Sequence, residues 1–145
     1  MVDSARRIEN LLYTYAERID AGDLDGLADL FAYGCIQAAP GTVVEGRDAV
    51  RALYKASTRL LDDGTPKTKH ITTNAIIEVD EEAGAATSRS YFTVTQATDE
   101  LPLQPIITGR YHDTFRRIDG VWWFDTREML IDQVGDLSHH LKFEL

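Results

Sequence analysis

The second half of the chain contains four β-rich runs separated only by short polar stretches. They cover 68–79, 85–95, 105–117 and 121–132, and the stretches between them read DEEAG, TDELPLQ and IDG. No other feature restricts the fold as much. With so little chain between consecutive runs, an antiparallel meander is the simplest topology. The Asp119-Gly120 step joining the last two is a strong two-residue hairpin signal.

The first half reads differently. Over 4–20, SARRIENLLYTYAERID places Ile8, Leu11, Leu12, Tyr15, Ala16 and Ile19 at the spacing of an amphipathic helix. Ser4 is the candidate N-cap, and Ala21-Gly22 supplies the stop. Asp23 can cap a second, short helix that buries Leu24, Leu27, Leu30 and Phe31. Residues 34–45 read as two short strands around Pro40-Gly41. A third helix is expected over 46–61, with Val50, Leu53, Tyr54, Ser57 and Leu60/Leu61 along one stripe, and DDGTPK ends it. Helices first and strands later predict an α+β domain with helices packed on one face of a curved sheet. A chain of 145 residues suits one such domain spanning 1–145. The tail, 133–145, keeps an apolar pattern at Leu137, Leu141 and Phe143, and either covers the core or reaches a neighbouring subunit.

Charge removes several functions. With 15 basic and 24 acidic residues the net charge is −9, which argues against a nucleic-acid partner because phosphate binding needs a basic face. No stretch approaches the roughly 20 apolar residues of a bilayer span, so no membrane partner is expected. The N-terminal residues lack the apolar core of a signal peptide, and a cytoplasmic location is the expectation. The lone Cys35, between Tyr33-Gly34 and Ile36, reads as a structural thiol. His139-His140 has no acidic pair at ligand spacing, and the sequence has no Gly-rich phosphate loop or nucleophile elbow. No metal and no cofactor are therefore expected.

One residue stands out in the strand TKHITTNAIIEVD: His70, near its start. Taken with YAERIDAGDLDGLADLF, VEGRDAVRALY and GRYHDTFRRIDGVWWFDTRE, in that order along nearly the whole chain, it resembles the SnoaL-like branch of the nuclear transport factor 2-like superfamily. The resemblance implies a cone-shaped α+β barrel, a curved antiparallel sheet wrapped around a pocket and closed by the N-terminal helices. Relatives in that superfamily include scytalone dehydratase, hexachlorocyclohexane dehydrochlorinase, ketosteroid isomerase and the SnoaL polyketide cyclases. The first two pair an Asp at the end of the first helix with a His at the start of the strand after the third helix. Asp20 and His70 hold the matching positions.

The chemistry of such a pair is general. A neutral imidazole abstracts protons near pH 7, and a carboxylate on one ring nitrogen fixes its tautomer and orientation. The competing role for Asp20 is a solvated helix-end carboxylate, and for His70 a satisfied strand histidine. Arg127 matches a functional arginine of the dehydrochlorinase; period-2 alternation equally allows it to face outward. Tyr15, Tyr54 and Tyr111 are candidate substrate-binding residues, with core packing as their alternative, and Tyr13 is a weaker candidate. Of Trp122 and Trp123, which must face opposite ways, Trp122 is assigned to the pocket. The outer tryptophan suggests a covered interface, hence a homodimer or homotrimer.

Together these readings predict a cofactor-independent acid/base enzyme of lyase, isomerase or cyclase type. Asp20 and His70 would act on a small, largely apolar organic ligand. Two alternatives use the same fold: a non-catalytic small-molecule-binding module, and an accessory subunit resembling the small subunits of ring-hydroxylating dioxygenases.

Overall fold

The computed structural model describes residues 3–145; Met1 and Val2, where the signal-peptide expectation begins, lie outside the described residues. Helix α1 (Ser4–Asp20) buries Ile8, Leu12, Tyr15, Ala16 and Ile19. Its N-cap is Asp3 rather than Ser4: the Asp3 carboxylate accepts the Arg6 N–H at 3.2 Å. A carboxylate also suits the positive end of the helix dipole, and Ser4 becomes the first helical residue.

The end of α1 positions the site. Gly22 has φ +73°, and a Cβ there would lie 1.9 Å from the Gly64 carbonyl oxygen. Only glycine allows this left-handed turn to press against the 62–65 loop that leads into the third strand. Asp20 is thereby held beside the beginning of that strand.

Asp23 caps α2 (Leu24–Asp29) by accepting the Gly26 N–H at 2.8 Å, and Leu24, Leu27, Leu30 and Phe31 are all buried. Strands β1 (Cys35–Ala39) and β2 (Thr42–Glu45) form the hairpin expected around Pro40-Gly41. Helix α3 (Arg47–Ser57) is shorter than its sequence pattern. Thr58 turns extended and bridges Leu141, and the Arg59 N–H donates to the His140 carbonyl at 2.8 Å. The C-terminal tail thus claims the backbone groups that a longer helix would have used, and Leu60 is left exposed.

Strands β3 (Thr68–Asp80), β4 (Ala85–Gln96), β5 (Gln104–Ile118) and β6 (Val121–Val134) form the expected antiparallel meander. Asp119 and Gly120 have φ +50° and +81°, the left-handed pair a type I′ hairpin requires. β1 then joins β6 in parallel, so the six-stranded sheet is mixed, with order β2-β1-β6-β5-β4-β3. The sheet is not closed. Its curved inner face is covered by the helices.

Two bulges decide which side chains face inward. In β3 the pairing passes from Thr73–Tyr91 to Ile76–Arg89, a one-residue slip at Asn74, whose φ is +42°. Thr68, His70 and Thr72 face inward before the slip; Ala75, Ile77 and Val79 do so after it. In β6 the pairing slips at Asp125, between Phe115–Phe124 and Thr114–Thr126. Trp122 and Phe124 face inward before the slip, and Arg127 and Met129 after it. A one-residue slip moves every later side chain to the other face. Trp123 lies on the outer face and packs edge-on against Tyr33 of the same chain, ring centroids 4.9 Å apart.

Candidate active site

A cavity of about 170 Å³ lies between α1, α3, the inner sheet face and the C-terminal tail. Ile19, Leu53, Phe92, Val94, Ile107, Met129 and Leu137 make most of its wall apolar, and His70, Tyr15, Tyr54, Tyr111, His140, Ser57 and Thr58 supply the polar groups.

The structure brings Asp20 and His70 together. Asp20 Oδ1 lies 2.6 Å from His70 Nδ1 and accepts the Thr68 hydroxyl at 2.8 Å, while Oδ2 accepts the His70 backbone N–H at 2.9 Å. The His70 side chain is 7% exposed and that of Asp20 12%. Burial works to raise the Asp20 pKa, but its bonds to the His70 ring, the His70 backbone and Thr68 outweigh burial and hold it below the usual carboxylate value. An ionised carboxylate can only accept. The geometry therefore assigns the neutral His70 proton to Nδ1, leaving Nε2 as the ring's proton-accepting nitrogen. Asp20 stands behind the imidazole, and His70 lines the cavity.

Tyr15, Tyr54 and Tyr111 line the cavity and also pack in the core. The hydroxyls of Tyr15 and Tyr54 share a short hydrogen bond. Burial raises the pKa of all three phenols, keeping them neutral donors. Tyr111 stacks on Phe92, ring centroids 4.5 Å apart.

Arg127 requires a correction. It is completely buried and faces inward, yet it does not line the cavity. Its Nε and Nη2 donate to the two oxygens of Asp113 at 2.9 and 3.0 Å, and its guanidinium lies 3.6 Å from the Tyr111 ring centroid and 4.3 Å from that of Tyr15. The bulge at Asp125 turned it inward, and the Asp113 carboxylate holds it beneath the tyrosine floor. Burial opposes its charge, but Asp113 outweighs burial and raises its pKa further.

Trp122 also departs from its assignment. It is buried in a separate groove between α1 and the β5–β6 hairpin, under Arg117 at 5.2 Å. The inward side of β6 at that level faces the start of α1, away from His70. Tyr13 is exposed. Among the described residues, no three His, Cys, Asp or Glu side chains gather as a metal-binding group.

Sequence reasoning missed His140. The tail folds back over the cavity and brings this imidazole to 5.9 Å from that of His70, centroid to centroid. It is 5% exposed, and its Nδ1 has no hydrogen-bond partner. Burial, then the proximity of His70, lowers its pKa to about 4, with Asp20 opposing. Its neighbour His139 faces outward near Glu100, at 3.8 Å. Asp113 was also missed, although its inward alternation with Tyr111 and Phe115 on β5 was a usable signal.

Comparisons with known proteins agree with this architecture. The model of the SnoaL-like domain matches residues 1–128. Rv3472 of Mycobacterium tuberculosis, whose function is unknown, is 30% identical with a TM-score of 0.74 over 90% of this chain and 72% of that one. A protein of Novosphingobium aromaticivorans provisionally named a scytalone dehydratase is 28% identical, with a TM-score of 0.72 over 91% and 86% of the two chains. A cystatin-like-fold protein of Nostoc punctiforme, 24% identical with a TM-score of 0.75 over 92% and 94%, shares the fold. No curated protein matches the chain.

Proposed function

Because the chain belongs to the SnoaL-like domain family, whose fold supports a catalytic or small-molecule-binding role, we propose that it is a proton-abstracting enzyme acting on a small, largely apolar organic molecule. His70 is the base. Asp20 fixes its tautomer and stabilises the imidazolium that forms. The observation that carries this reading is the Asp20–His70 bond of 2.6 Å in the wall of a mostly apolar cavity. A surface carboxylate–imidazole pair would have no such enclosure.

The cavity limits the substrate. An engineered apolar cavity of about 150 Å³ holds benzene, so about 170 Å³ suits a molecule of about one ring. Proton removal from carbon leaves negative charge on the ligand. Tyr111 and whichever of Tyr15 and Tyr54 accepts in their shared hydrogen bond are the phenol donors placed to meet it. Elimination, isomerisation and cyclisation all begin with that step, so the site fits lyase, isomerase and cyclase chemistry alike.

The test needs no knowledge of the natural substrate. Cyclohexanone and its methyl-substituted relatives are incubated with the protein in deuterium oxide, and loss of the protons next to the carbonyl is followed by NMR. The wild type is expected to accelerate exchange, and His70→Ala to lose about 10²–10⁴-fold of the acceleration. Binding of these ketones without accelerated exchange would favour the second reading, a non-catalytic binding module, which the apolar lining of the cavity also supports.

A further inference from the structure

The C-terminal tail supplies a group that the reading above does not use. Residues 137–145 cross the open side of the cavity and are pinned there. Thr58 bridges Leu141, the Lys142 N–H donates to the Ser57 carbonyl at 2.9 Å, and the Gln96 side-chain amide donates to the His139 carbonyl at 3.1 Å. His140, between these anchors, is thus held in place before any ligand arrives. Its surroundings on the tail, Leu137 and Leu141, are apolar. A leucine at 140 would fill the same space without stranding a polar atom. The imidazole instead has no hydrogen-bond partner on either nitrogen among the described residues: Nδ1 is closed off from any void, a costly arrangement, and Nε2 is the nitrogen left to face the cavity that His140 lines.

The two imidazoles are built for different work. His70 has a carboxylate behind it; His140 has none and is buried among leucines. When neighbouring titratable groups have environments that separate their proton affinities, acid/base chemistry is divided between them. His70 takes the proton. His140 stays neutral across the physiological range, and gains nothing as a base.

We propose that His140 is a ligand-recognition residue: the C-terminal tail completes the site, and the His140 imidazole hydrogen-bonds a polar atom of an otherwise apolar ligand. The inference rests on the cavity being a ligand site, as proposed above, and not on catalysis by His70. It explains why the tail is anchored on both sides of residue 140 and why a histidine sits in an apolar cover. It also gives the site selectivity between ligands of equal size, which an apolar wall alone supplies weakly.

Phenol and toluene test it, since they match in shape and differ only in carrying a hydroxyl or a methyl group. Binding of each is measured by ligand-observed NMR to the full chain, to His140→Phe and to His140→Gln. The expected result is a preference of about tenfold for phenol in the wild type, lost in His140→Phe and largely restored in His140→Gln. Toluene should bind the wild type and the Gln variant alike. An unchanged phenol preference in His140→Phe would overturn the role of His140 while leaving the cavity as a ligand site. Failure of both molecules to bind the wild type would overturn the inference and the proposed ligand site together.

Discussion

Two acid–base pairs are buried a short distance apart in this domain, and they are built to opposite ends. Asp113–Arg127 lies wholly beneath the tyrosine floor, joined by two parallel hydrogen bonds and covered by aromatic rings. Its cation cannot give up its proton under any ordinary condition. Asp20–His70 lies in the cavity wall, joined by one ring hydrogen bond, with a cation that forms only when a proton arrives. The first pair stores a charge where nothing reaches it. The second has an imidazole that lines the cavity and forms a cation only by accepting a proton. Position relative to the void, and the kind of acid that carries the charge, distinguish the two pairs more clearly than the mere presence of an ion pair does.

The comparison breaks first at Arg127. Replacing it with Met leaves the Asp113 carboxylate buried and unpaired, and should cost about 3–5 kcal/mol. His70→Ala, which removes a ring from the edge of a void, should cost about 1–2 kcal/mol. Urea denaturation of the two variants checks the contrast. Equal losses would mean that the Asp20–His70 pair is structural too.

Acid separates the two imidazoles next. The His140 pKa is depressed from about 6.5 to about 4, so its contribution to stability is complete above about pH 6.5 and is lost as pH falls toward 4, about 3 kcal/mol in all. His140→Leu should flatten the stability curve over that window. Asp20 acts at lower pH. Its folded pKa is lowered, so its contribution is present above the unfolded value of about 3.9 and disappears as pH falls through the folded one. Asp20→Asn should remove only this most acidic part. Denaturation midpoints measured across the acid range, in wild type and both variants, resolve the two windows.

The smallest effect concerns the β3 bulge. Asn74 tolerates its positive φ better than a β-branched residue does, so Asn74→Val should cost about 1–2 kcal/mol. Asn74→Gly should be close to neutral. Thermal denaturation distinguishes them. Similar melting for all three would mean that the left-handed turn is not what fixes the inward set of His70.

Much of this architecture was legible in the sequence, for physical reasons that also mark where legibility ended. The helical stripe from Ile8 to Ile19 and the meander joined at Asp119-Gly120 follow from periodicity and turn chemistry, and both were found where expected. Asp20 and His70 were singled out by the resemblance to relatives that pair an Asp at the end of the first helix with a His at the start of the strand after the third, and one tertiary contact joins them. Arg127 was ambiguous because alternation counts from a known face, and the slip at Asp125 resets the count without an obvious marker. Trp122 was assigned to the pocket from its inward parity alone, which says nothing about level along the strand. The parallel docking of β1 on β6 and the closing path of the tail depend on long-range contacts. His140 therefore had no local signal: its neighbour His139 has the same residue type and faces away.

The central claim is that Asp20 holds His70 with Nδ1 protonated and Nε2 free to accept a proton. Long-range proton–nitrogen correlation NMR of the histidine rings, in alkaline buffer where the imidazoles are neutral, reads this directly. A single His70 tautomer protonated at Nδ1 is expected in the wild type, giving way to a tautomer mixture in Asp20→Ala. A wild-type His70 protonated at Nε2, or one whose tautomers are unaffected by losing Asp20, would contradict it.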